Sequence, residues 1–356
     1  MVRRFEAGPA LLSLLGAFAW AVIAVLAGMH RAPFGIMELL FLFAILVVVP
    51  LGMELGGLVN LHLVGRTARV VRALQPLAAF GVVASLWQPP GRLAAALTLP
   101  WFLLALSLGL AATASLLRGA SRSLARIAVS IACVDLAFGS AWGVASRAGW
   151  RPMGFPEPIV LLTAVHYHYS GFATAIIAAA ALHMFGRHEI RLPIFRPVVW
   201  LVLILPYVVA AGFVFSPLLR MVAALAFAAS VTVLTGAIVS LSARAQRPTA
   251  RFFLRMGSGA AWVGMGLAGV YAVSDHVGRA VLTMPGMAST HGVLNGLGFV
   301  LLSTLAFLIE LQARELQGKE SSRLSAVGSG STVPRKRPSG VAQTVPEFVA
   351  QDFYDR

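Results

Sequence analysis

Charge is what this chain has least of. Only 12% of its 356 residues are charged and 58% are hydrophobic, whereas a soluble domain carries roughly 25% charged residues. So little charge cannot cover a surface that faces water. Cysteine is nearly missing as well. Cys133 stands alone, which excludes an intrachain disulfide, a cysteine-built zinc site and an iron–sulfur cluster. It lies in an apolar run and is expected to be a small buried residue without chemistry. No H-E-x-x-H, P-loop, dinucleotide fingerprint or serine-nucleophile elbow occurs, so ATP-driven transport and the familiar hydrolase mechanisms are not expected. The net charge of +15 comes mostly from arginine. No basic stretch of useful length lies outside the membrane-flanking loops, so nucleic acid is not an expected partner; the lipid bilayer is.

What is abundant is long apolar runs. A spanning helix needs roughly 20 mostly apolar residues, and ten segments qualify, at about 10–29, 36–58, 71–89, 93–117, 124–147, 158–185, 197–216, 220–242, 257–275 and 286–311. The third is the weakest, with Gln75 and Pro76 at one end and Gln88, Pro89 and Pro90 at the other. The first follows Met1-Val2-Arg3-Arg4 and is too long for the apolar region of a cleaved signal peptide, so it is read as a retained membrane helix. With the N-terminus placed in the cytoplasm, 22 of the 28 basic residues fall inside and six outside. That is the bias of cytoplasmic loops. The expected fold is therefore all-α, a polytopic transmembrane bundle of about ten helices with both termini cytoplasmic. Short loops make consecutive helices antiparallel neighbours. The expected domains are a transmembrane domain over 1–317 and a disordered basic cytoplasmic tail over 318–356, where Gly, Ser, Pro and charge take over. The cluster Arg335-Lys336-Arg337 in that tail either touches anionic lipid or is simply solvated. The oligomeric state is left open.

The polar residues inside the apolar segments carry what functional signal there is. Imidazole in hydrocarbon is costly unless partnered, so intramembrane histidines mark candidate sites. The sixth segment contains His166-Tyr167-His168-Tyr169-Ser170, about a third of the way in from the outer side. Positions two apart on a regular helix differ by roughly 200°, so His166 and His168 point to opposite sides and cannot chelate one ion unless the helix is locally broken. Tyr169 and Ser170 share the face of His166. In the tenth segment His291 and Asn295 lie four apart on one face. Gly292 and Gly296 beside them form a small-xxx-small pair that lets another helix approach. The fifth segment places Asp135 near mid-membrane, with Gly139, Gly143 and Trp142 following, and a histidine from the sixth or tenth segment is its expected partner. Glu54 sits near the inner end of the second segment, either in the site or at the interface. The bland alternative is that each histidine is a structural hydrogen-bonder between helices.

These segments resemble the YndJ-like family of bacterial membrane proteins. The likeness rests on Val49-Pro50-Leu51-Gly52-Met53-Glu54, on Gly139-Ser140-Ala141-Trp142, on the run from Leu161 to Ala173 around the histidine pair, and on Thr290-His291-Gly292-Val293-Leu294-Asn295-Gly296. It covers most of residues 40–311. It implies that His166, His168, His291 and Asn295 belong to one shared site, and it implies no reaction.

The expected site is thus a pocket in the outer half of the membrane that handles a small, apolar or amphipathic molecule. His166, His168, His291 and Asp135 are its candidate catalytic groups. Asn295, Tyr169, Ser170, Trp142 and Glu54 are candidates for contacting the substrate. Acid–base chemistry of isomerase, cyclase or hydrolase type leads. The alternatives are a proton-coupled transporter using Asp135 and Glu54, a metal or haem protein ligated through His166, His168 and His291, and a purely structural factor. No cofactor is required by the sequence.

Overall fold

The computed structural model describes residues 8–59, 65–119, 123–188, 193–279 and 281–329. Among these no strand occurs, and ten helices are long and apolar enough to cross a membrane. They are α1 (Gly8–Gly28), then α2 (Ile36–Val59), α3 (Arg66–Leu86), α4 (Arg92–Arg118), α5 (Leu124–Ala148), α6 (Ile159–Arg187), α7 (Phe195–Phe215), α8 (Pro217–Ser242) and α9 (Pro248–His276). The last, α10, runs from Met284 to Ser329. Consecutive helices from α3 to α5 and from α7 to α10 pack side by side, while α6 lies against α5 and α2, and α10 against α9, α2 and α6. The centre of the bundle is α2 and α6. In their most apolar stretches 78% and 72% of the residues are buried in protein, against 22% for α1 and 28% for α9.

Three boundaries differ from expectation. The helix α9 begins at Pro248 rather than near residue 257. Gln75 and Pro76 lie inside α3 rather than at its edge, because the helix begins at Arg66. And α10 continues past residue 318 to Ser329. Its extension carries Lys319, Glu320, Arg323, Leu324 and Ala326, which are good helix formers, among four serines. The remainder of the expected tail, with Arg335-Lys336-Arg337, lies outside the described residues.

Helix ends are tied by side chains that meet the unpaired backbone groups there. Ser216 accepts from the Leu219 amide at 3.3 Å ahead of Pro217, the first residue of α8. Gly149 ends α5 in the left-handed region, at φ 72°. The Arg147 side chain donates to Ser85 Oγ and Ser85 O at 3.2 and 3.0 Å, fastening the end of α5 to the end of α3. At the opposite side of the membrane the fully buried Glu310 of α10 accepts from the amides of Gln246 and Arg247 at 3.0–3.2 Å, just before α9 begins. Arg314 completes that cap with an ion pair to Glu310 at 2.7 Å. Arg220 pairs with Asp275 between α8 and α9 and lies 4.8 Å over the Phe213 ring.

The central helices are irregular. A π-helical stretch occupies Ala44–Val48 in α2, another Tyr167–Ala173 in α6, and two more, Ala288–Gly292 and Leu294–Val300, lie in α10. In α2 the cause is legible. Val49 N–H reaches back to the Ala44 carbonyl, a five-residue step. The same step from Ile45 O would land on Pro50, which has no N–H. The buried Gln75 of α3 supplies the missing donor, its Nε2 lying 3.5 Å from Ile45 O. Replacing Gln75 by Leu strips that carbonyl and should lower stability by about 1–3 kcal/mol, read as a lower midpoint of thermal unfolding in detergent. In a Pro50→Ala background, where a backbone donor returns, the same replacement should cost less; an equal cost in both backgrounds refutes this pairing.

Candidate functional site

The motif residues divide into those consumed by the irregular backbone and those left with something to offer. Tyr169 donates its hydroxyl to Leu40 O on α2 at 2.8 Å and packs against Gly296 of α10, where a Cβ would sit 3.1 Å from the ring. This clamp joins α2, α6 and α10. Ser170 Oγ donates to His166 O at 2.7 Å, and Thr174 Oγ1 to Tyr169 O at 2.9 Å, both within the loosened turn of α6. These hydroxyls return to the chain the hydrogen bonding that hydrocarbon cannot supply.

His168 belongs to the same class. It is fully buried. Its Nδ1 lies 2.8 Å from Ala164 O, and since a carbonyl only accepts, Nδ1 carries the proton. Nε2 then accepts from the Trp101 indole N–H at 3.3 Å. The ring is stacked on Trp101, with centroids 6.3 Å apart, and meets Phe41 edge-on at 5.3 Å. Gly139 makes room for it, since a Cβ there would be 2.9 Å from Nδ1. Both nitrogens are used, so His168 points away from the shared site expected for it and works as a bolt between α6, α4 and α5.

His166 and His291 are different. His166 Nδ1 lies 2.7 Å from Leu162 O, and His291 Nδ1 lies 2.8 Å from Gly264 O of α9. Each ring is thereby fixed with its proton on Nδ1, and in the neutral ring each Nε2 keeps a lone pair without a hydrogen-bond partner among the described residues. His166 retains exposed surface and His291 is half-buried, yet the two are near enough to interact electrostatically. His166 of α6 and His291 of α10 are thus within electrostatic range of each other, while His168 is occupied between α6, α4 and α5. Asn295 stands beside them. Its Nδ2 donates to His291 O at 2.8 Å and touches Nδ1 at 3.2 Å, while its buried Oδ1 receives no hydrogen bond. Close packing against Gly264 holds the amide in place, because a Cβ there would sit 2.3 Å from Nδ2.

The acidic residues lie elsewhere. The buried Asp135 accepts a hydrogen bond from Tyr207 of α7, not from a histidine. Gly171 of α6 brings the two backbones together over it, with Asp135 Cβ 2.7 Å from where a Cβ would be. Tyr167 packs on Tyr207 with ring centroids 5.8 Å apart, and its buried hydroxyl has no partner among the described residues. The histidine expected beside Asp135 is not its partner: His168 spends both ring nitrogens on Ala164 O and the Trp101 indole, and Tyr207 meets the carboxyl instead. Glu54 is farther still from the expected role: it accepts from Gln312 Nε2 at 2.7 Å, near the end of the bundle where Arg72 also lies. Trp142 rests on Phe138, centroids 6.3 Å apart, and makes no hydrogen bond to the histidines among the described residues. For a metal, no group of three His, Cys, Asp or Glu side chains comes together among the described residues. Of the three motif histidines, His166 and His291 each offer a ring nitrogen without a hydrogen-bond partner among the described residues, and His168 does not.

Sequence reading missed Trp101, Tyr207, Gln75, Gln312 and Gly264. Tyr207 had a signal, a Pro-Tyr step within an otherwise apolar run; Gly264 acts through its carbonyl and had none.

Residues 39–299 match the family described as YndJ-like protein. Over 235 residues the chain is 26% identical to the uncharacterized membrane protein YndJ of Bacillus subtilis (strain 168), an alignment covering 66% of this chain and 41% of that protein. The chain thus spans less than half the length of that relative. No solved structure matches.

The free lone pairs have a direct chemical readout. Diethyl pyrocarbonate attacks unprotonated, accessible imidazole nitrogen. In the detergent-purified protein, peptide mass spectrometry should find His166 and His291 carbethoxylated and His168 spared. Equal labelling of all three would refute the division between them.

Proposed function

Because the chain belongs to the YndJ-like family, with its most distinctive runs around the two free imidazoles, we propose that it binds a small, largely apolar molecule bearing a hydrogen-bond donor between α6, α9 and α10. The site is His166 and His291 with Asn295, in a protein of the bacterial cytoplasmic membrane. One observation supports the reading: three acceptors, His166 Nε2, His291 Nε2 and Asn295 Oδ1, have no hydrogen-bond donor among the described residues, on stretches of α6 and α10 that pack together. An unmet acceptor removed from water is costly, and a ligand that brings N–H or O–H groups removes that cost.

The chemistry this supports is proton movement. An imidazole titrates near neutral pH. A carbonyl on Nδ1–H fixes the ring and stabilises the imidazolium formed when Nε2 takes a proton. One imidazole Nε2 takes a proton from the bound molecule and returns the same proton at a second atom, so the ring ends neutral as it began and the net change is a hydrogen shifted within that molecule, an isomerisation, while the other Nε2 accepts a hydrogen bond from it. Asn295 Oδ1 orients the donor. A second reading, proton-coupled transport, draws support from two carboxylates on different partners, Asp135 on Tyr207 and Glu54 on Gln312.

The test is the molecule itself. Protein purified from its native membrane into nanodiscs is extracted, and bound small molecules are identified by mass spectrometry. Losing two hydrogen bonds in a dry site costs about 1–3 kcal/mol each, so replacing His166 and His291 together by Leu should lower occupancy at least about tenfold. Incubation with the wild-type protein should convert the molecule to an isomer of equal mass. Retention by the double variant at wild-type occupancy defeats the site. Retention lost without isomer formation, but with flux into proteoliposomes that carry a proton gradient, favours transport over catalysis.

A further inference from the structure

A cleft of about 210 Å³ opens where α3 and α5 begin and α4 ends, well apart in sequence from the histidine motifs. Three arginines line it: Arg66 and Arg118, both exposed, and the half-buried Arg126. Thr67, Ser115 and Ser130 add hydroxyls, and no acidic side chain contributes to its walls. Arg66 and Arg118 make no ion pair or hydrogen bond among the described residues. The contrast with Arg72 is informative. Arg72 lines a water-sized cavity that shares Ala68 and Leu108 with the cleft, and the Glu54 carboxyl lies close enough to feel its charge. Among the described residues Arg66 and Arg118 have no carboxylate paired with them.

Like charges gathered in a concavity repel one another and raise the local concentration of anions. The backbone adds to this. Gly65 precedes α3 without a side-chain cap, so the first amides of the helix face the same end. Arg126 is held there by Gly119, where a Cβ would lie 2.6 Å from Nη2. Guanidinium groups with neighbouring hydroxyls are the donor set that suits phosphate oxygens. The arginine-rich side of the chain is the cytoplasmic side by the positive-inside bias, where anionic phospholipid headgroups stand at this depth.

We propose that this cleft binds a phosphate group, independently of the histidine site. Two sources share that chemistry, the phosphodiester of an anionic phospholipid and free inorganic phosphate, and the experiment separates them. The full chain is purified in a neutral detergent. Its thermal midpoint is followed while phosphatidylglycerol, phosphatidylcholine, inorganic phosphate or chloride at matched ionic strength is added, and retained lipid is counted by native mass spectrometry. Stabilisation by phosphatidylglycerol but not by phosphatidylcholine or phosphate identifies a lipid site. Stabilisation by phosphate beyond chloride identifies a site for the free anion. In either case the double replacement Arg66→Gln with Arg118→Gln should weaken binding at least about tenfold. Arg118→Lys, which keeps the charge, should retain most of it, and Arg92→Gln with Arg151→Gln on the other side should leave it unchanged. Indifference of the wild-type protein to phosphatidylglycerol and phosphate alike, or equal binding by the Arg66/Arg118 double variant, overturns the proposal.

Discussion

Inside hydrocarbon a backbone amide or carbonyl has no water to turn to, and this one constraint organises the molecule. A regular helix satisfies it internally. The helices α2, α6 and α10 do not, because each contains π-helical turns in which the usual pairing is broken. Such helices are tolerable only where protein surrounds them, and α2 and α6 are the most deeply buried of the ten. The straighter helices α1, α7, α8 and α9 can face lipid. Most of the polar side chains in the interior then have a common task. Gln75 serves Ile45, Tyr169 serves Leu40, Ser170 serves His166, His168 serves Ala164 and Asn295 serves His291, always at the carbonyl.

That task sharpens the functional question. An intramembrane polar residue is a candidate site only until its hydrogen bonds are counted. His168 is the most buried of the three motif histidines, and its two nitrogens are both occupied. In the cluster of His166, His291 and Asn295 the atoms without a partner among the described residues, two Nε2 and one Oδ1, are all acceptors. A site that lacks only donors selects for ligands that bring them.

The membrane architecture was legible in the sequence because it follows from length, apolarity and the placing of arginines, none of which needs a partner to be read. All ten spans appear, within a few residues at most ends. The pairing of His291 with Asn295 was legible for the same reason, being a matter of spacing on one helix. What lay hidden depended on irregular turns or on distant helices. The partner of Asp135 comes from a helix more than seventy positions on, and that of Glu54 from α10, 258 positions on. The opposite facing of His166 and His168 followed from helical rotation, but which of the two would meet His291 did not. The packing of Trp101 and Gly139 around His168 decides it.

The dependence of α2 on later parts of the chain bears on how the protein is made. Gln75 arrives with the next helix to leave the ribosome, but Tyr169 comes only with the sixth and Gln312 with the tenth. While the spans between them are made, this second helix therefore waits in the bilayer with polar groups unserved. Glu310 likewise leaves the start of α9 unfinished until α10 emerges. Insertion can proceed one span at a time, but this interior closes only when α10 slots between the second, sixth and ninth.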